Sequence, residues 1–100
     1  MRAVELIDTL LCEEQAALRR LPYVDLCELP SHAQRPVNVE NRDAMLSTWV
    51  DFLPDQSVRV ITQYYRPGLL GSARVHSKGF TMDRTGAARE LATSELWDFA

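Results

Sequence analysis

Near the start of the chain, apolar residues recur at three- and four-residue steps. From Ala44 onward they recur at every second residue. The first spacing is one face of an α-helix, and the second is one face of a β-strand. Over residues 3–21 the stripe is Val4, Ile7, Leu10, Leu11, Leu18 and Leu21, with Glu14 and Ala17 between them. Glu5, Asp8, Glu13, Arg19 and Arg20 fall elsewhere on the wheel. Acids come early and the arginine pair late, as the helix dipole favours. Pro22 ends the helix. Residues 22–43, with Pro22, Pro30, Pro36 and the polar run "SHAQRP", read as an irregular connection. Within it "PVNVEN" is either a short edge strand or the start of the next one.

The period-two region divides into strands at 44–53, 57–66, 72–82 and 87–92, joined as an antiparallel meander. Pro54 in "LPDQ" suits a type I turn, "RPGLLGS" holds Pro67 and two glycines, and "DRTG" runs from Asp83 to Gly86. "TSELWDFA" predicts a short helix at 94–99, capped by Thr93 or Ser94 and docked through Leu96, Trp97 and Phe99. The expected fold class is α+β. A long N-terminal helix packs on a curved antiparallel meander of four to five strands, and a short C-terminal helix closes it. The whole of residues 1–100 forms a single domain.

Turn positions set a register, and the register sorts side chains onto faces. A first hairpin centred on residues 54–56 pairs Phe52 with Val58, Val50 with Val60, Thr48 with Thr62 and Leu46 with Tyr64. A second hairpin centred near Gly68 and Leu69 pairs Thr62 with Val75 and Tyr64 with Ala73. The helix-covered face then holds Leu46, Val50, Phe52, Val58, Val60, Tyr64, Ala73 and Val75. The opposite face holds Met45, Trp49, Ile61, Tyr65 and His76, rimmed by Asp51, Arg59, Gln63, Arg74 and Lys78. Phe80 and Met82 fit this register poorly, and a bulge at Gly79 is the device that would turn Phe80 inward.

The two adjacent tyrosines of "QYYR" therefore part company. Tyr64 belongs to the core, where its hydroxyl needs a partner or the core's edge. Tyr65 belongs to a face whose centre is aromatic, whereas an ordinary solvent face is polar throughout. The chain's own C-terminal helix, a second copy or another protein would cover it.

Charge adds one asymmetry. The chain of 100 residues carries a formal net charge of −3. Five of its Lys and Arg precede residue 57, together with ten acids. Residues 57–89 hold Arg59, Arg66, Arg74, Lys78, Arg84 and Arg89 against Asp83 alone. A net acidic chain is a poor generic polyanion binder. Even so, Arg59, Arg74 and Lys78 beside Trp49 and Tyr65 make single-stranded nucleic-acid binding by the hairpin at 57–89 the alternative reading.

The remaining chemistry is sparse. Cys12 and Cys27 have no metal or redox spacing, and together with His32 and His76 they match no zinc pattern. Ser77 points away from His76 in a strand, and no nucleophile elbow or phosphate loop is present. No catalytic residue, metal or cofactor is expected. An enzymatic or small-molecule-binding role would need a polar pocket between helix and sheet. No apolar run approaches the ~20 residues that span a bilayer. The N-terminal segment carries Glu5 and Asp8 where a leader would be apolar. The expectation is a bacterial-type cytoplasmic protein that binds another protein or itself. Its candidate partner-binding residues are Met45, Trp49, Ile61, Tyr65, Leu69, Leu70, Arg74 and His76. Leu69 and Leu70 make an apolar hairpin tip.

Overall fold

The computed structural model describes residues 3–68 and 73–99, the last three by backbone alone. Two helices come first, α1 (Ala3–Arg19) and α2 (Tyr23–Cys27). Five strands follow: β1 (His32–Val39), β2 (Arg42–Phe52), β3 (Val58–Pro67), β4 (Ala73–Met82) and β5 (Ala88–Glu90). A 3-10 helix, Thr93–Phe99, comes last. The strands form one antiparallel sheet in sequence order, with α1 packed on it, which is the expected α+β class.

α1 buries Ile7, Leu11 and Gln15, with Leu10 and Leu18 half-buried. Val4, expected on the stripe, is 51% exposed, and Glu14 reaches sideways to Arg35 of β1 at 2.9 Å. On the other flank Asp8 meets Lys78 of β4 at 3.2 Å. These two ion pairs straddle the helix. Between them Gln15 donates to the Thr62 hydroxyl at 2.8 Å, a buried polar pair centred on β3. Such a pair fixes the helix position, because either group alone would be buried and unsatisfied.

The connection expected to be irregular is ordered. Residues 22–43 contain α2 and β1, a correction to the sequence reading. Pro22 precedes the first helical position of α2, where a missing N–H costs nothing, and its carbonyl accepts from the Leu26 amide at 3.1 Å. Leu26 is fully buried with Val50, Val58, Val60, Phe80 and Met82, a second core beside the one under α1. One helical turn is too short to announce itself by periodicity, and packing onto the sheet is what stabilises it.

β1 is an edge strand. Val50 donates to the Ser31 carbonyl at 2.9 Å, which sets the phase of the β1–β2 ladder. Odd-numbered residues of β1 bond to β2, and His32, Gln34, Pro36 and Asn38 turn their backbone groups outward. Pro36 thus sits where no ladder donor is needed and removes one from the free edge. Glu40 and Asn41 form the two-residue turn to β2, with φ of 52° and 62°.

The β2–β3 register is as expected, from Phe52 opposite Val58 to Met45 opposite Tyr65. Gln56, at φ 71°, follows Pro54 and Asp55 and closes that turn with its amide on the Leu53 carbonyl at 2.8 Å. The β3–β4 register is a correction. Tyr64 faces His76 and Tyr65 faces Val75, three residues away from the expected pairing. An odd offset exchanges the faces of a whole strand. Phe80 therefore lies opposite Val60 in the core with no bulge at Gly79, and Met82 lies opposite Val58. Ala73 and Val75 leave the helix face, while Arg74, His76 and Lys78 join it. Phe52, at the end of β2, is 56% exposed. Tyr64 is fully buried as expected, but its hydroxyl has no hydrogen-bond partner among the described residues.

Candidate functional site

The sheet face away from α1 is built by alternate residues of four strands. β1 contributes His32, Gln34 and Pro36, and β2 contributes Met45, Ser47, Trp49 and Asp51. β3 contributes Arg59, Ile61, Gln63 and Tyr65, and β4 contributes Val75, Ser77 and Gly79. The chain covers part of this face itself. After β5 the Leu91 amide donates to the Gly79 carbonyl at 2.9 Å. Leu91 and Leu96 then bury Ile61 to 1% exposure. Gly79 makes this possible. A Cβ there would lie 2.8 Å from Leu91 Cδ1 and 3.0 Å from Ile61 Cγ1.

Glu95 anchors the covering segment. Its carboxylate accepts two hydrogen bonds from Arg89, both 3.0 Å, and one from the Ala92 amide at 2.9 Å. These bonds, that from Arg89 foremost, hold its pKa down to about 2.

The other part of the face is an open, shallow concavity of about 770 Å³, lined by Pro36, Met45, Ser47, Trp49, Tyr65 and Pro67 among others. Tyr65 is 42% exposed and Val75, its cross-strand neighbour, 36%. The indole of Trp49 stacks on the His32 ring, with centroids 4.8 Å apart and planes 10° from parallel. Arg59 donates twice to the Asp51 carboxylate, the Nε bond being 2.9 Å, so the cross-strand pair expected from the register forms.

Of the eight candidate residues, Met45, Trp49 and Tyr65 come together on this concavity. Ile61 shares the face but lies under Leu91 and Leu96. Arg74 and His76 are on the opposite face, because the β3–β4 register exchanges them with Val75. Leu69 and Leu70 lie outside the described residues. Sequence reasoning missed His32, Pro36 and Val75. The alternation "HAQRPVN" holds the signal for the first two, obscured by its proline.

The register also divides the basic residues on which nucleic-acid binding would depend. Of Arg59, Arg74 and Lys78, only Arg59 shares a face with Trp49 and Tyr65, and it is engaged with Asp51. Lys78 lies on the helix face, its amine against Asp8. Among the described residues, no three of His, Cys, Asp and Glu converge on a metal-sized site. Cys12 and Cys27 are free thiols. No helix of the described residues is long and apolar enough to cross a membrane. Compared with protein-family models, curated proteins and solved structures, the chain matches none.

Proposed function

We propose that this is a small non-catalytic protein that binds another protein, or a second copy of itself, through the open concavity around Tyr65. The observation that carries the reading is a row of half-exposed apolar residues, Met45, Tyr65 and Val75, across the open part of the face. A shallow apolar floor with a polar rim has the anatomy of a protein contact. Enclosed sites, which surround most of a ligand, serve small molecules better. Cytoplasmic residence belongs to the same reading and is supported by the two unpaired cysteines.

Size exclusion with light scattering, over a concentration series, tests self-association. Wild type should shift toward a dimer as concentration rises, and Tyr65→Glu and Val75→Glu should remain monomeric. A wild-type monomer at every concentration removes the self-association form of the proposal. Binding to another protein would then be tested by cross-linking from position 65, with Tyr65→Glu as the control.

A further inference from the structure

Most of the bases in residues 57–89 have an identifiable companion. Arg59 holds Asp51, Lys78 holds Asp8 at 3.2 Å, and Arg89 holds Glu95 through two bonds of 3.0 Å. Arg84 lies beside the Tyr23 hydroxyl. Arg66 and Arg74 differ. They are Cα partners across the β3–β4 ladder, both half-buried, and neither has a carboxylate within ion-pair reach among the described residues.

Their geometry can be taken further. Leu53 donates to the Ser57 carbonyl at 2.9 Å, which sets the phase of the β2–β3 ladder. Odd-numbered residues of β3 bond to β2, so Arg66 bonds to β4 and forms a hydrogen-bonded pair with Arg74. Such a pair separates its Cα atoms by about 5.5 Å, with both side chains on one face. Like charges directly opposed on a sheet repel. The two guanidinium groups, carried from paired positions on one face, have about ten N–H donors between them and no acceptor.

We propose that Arg66 and Arg74 form a binding site for a phosphate-class dianion, either free phosphate or a phosphomonoester. Two positive forks match a doubly charged tetrahedral group in charge and in bidentate geometry. A single carboxylate would neutralise only one of them. The surroundings are favourable. His76 lies two residues beyond Arg74 on the same face, opposite Tyr64. Burial first, and then the charge of Arg74, lower its pKa, so the field of Arg74 is felt at His76. The first turn of α1, the positive end of its dipole, borders a cleft of about 570 Å³ that Val4 shares with His76. Glu5 and Asp8 also line that cleft, with Asp8 engaged by Lys78. The anion therefore belongs on the Arg66 and Arg74 side of His76.

The test is an NMR titration of the full chain at fixed ionic strength, following backbone amides and arginine Nε–H groups. Inorganic phosphate, phenyl phosphate and chloride are added separately. Saturable shifts at Arg66 and Arg74 with phosphate, absent with chloride, are expected, together with a rise in the His76 pKa. Arg66→Gln or Arg74→Gln should weaken binding at least tenfold. Each should melt no lower than wild type, since a repulsion is removed. Arg66→Lys and Arg74→Lys keep the charge but lose the fork, and give the same comparison if glutamine impairs folding. Tighter binding of phenyl phosphate identifies a phosphomonoester, and equal binding identifies free phosphate. Linear shifts spread equally over Arg84 and Arg89, or wild-type affinity in the Arg66→Gln/Arg74→Gln double variant, would overturn the site.

Discussion

The face of the sheet away from α1 has two halves, and they differ in what lies over them. Around Ile61 the chain returns through β5 and covers the surface with Leu91 and Leu96. Around Tyr65 the same strands carry an apolar floor that is substantially exposed. The contrast follows from one residue type at one register position. Gly79 opposite Ile61 leaves room for Leu91. At the corresponding position opposite Tyr65 stands Val75, which carries a branched side chain where Gly79 has none and is 36% exposed. The apolar sheet surface is thus closed where a glycine admits the chain, and is exposed around Tyr65.

The covered half should respond most to substitution. Leu91→Ala should cost about 2–3 kcal/mol in urea unfolding, through lost burial and the cavity left over Ile61. A loss under ~0.5 kcal/mol would mean that the cover is loose and the two halves are alike. Gly79→Val should cost about 1–3 kcal/mol by overpacking. Gly79→Ala should cost less, since its nearest neighbour is the mobile end of Leu91.

The open half should respond in the opposite sense. Tyr65→Glu should leave unfolding within about 0.5 kcal/mol of wild type, because no packed core is disturbed. Its effect should be on association alone. A large loss of stability would show that Tyr65 is structural and that the halves do not divide as described.

The smallest effect concerns the anchor of the cover. The folded pKa of Glu95, about 2, is below the ordinary carboxylate value, so folding favours the ionised form. Its contribution is present above that ordinary value and is lost as pH falls toward about 2. A carbon-13 NMR titration should find this low carboxyl pKa, and Arg89→Gln should return it toward normal. Exposure of both side chains keeps the consequence for stability modest.

Much of this is legible in the sequence. The three- and four-residue period of α1 and the period of two after Ala44 define the layers. "LPDQ" is short enough to admit one good register, so Trp49 opposite Ile61 and Met45 opposite Tyr65 followed from it. The longer "RPGLLGS" allows several centres, and a three-residue error there moved Arg74, His76 and Val75 to the wrong faces. The alternation of Phe80 and Met82 with Gly79 and Thr81 carries the true parity, but with the expected hairpin centre it reads either as a bulge at Gly79 or as a more apolar second face. α2 was unreadable for a different reason. A single turn carries no period, and Leu26 is buried only because the sheet is there to receive it.

The sequence by itself determined the class of fold, the first hairpin and the division of Tyr64 from Tyr65 between two faces. Those follow from local periodicity and a tight turn, which act over a few residues. Tertiary structure decided the β3–β4 register, the docking of α2 and the extent of the cover over Ile61. Each depends on contacts between distant residues: Phe80 and Met82 with Leu26, and Gly79 with Leu91. The described part of the C-terminal segment is committed to Ile61, and Tyr65 on the same face stays exposed, because packing and not local pattern chose which half was covered.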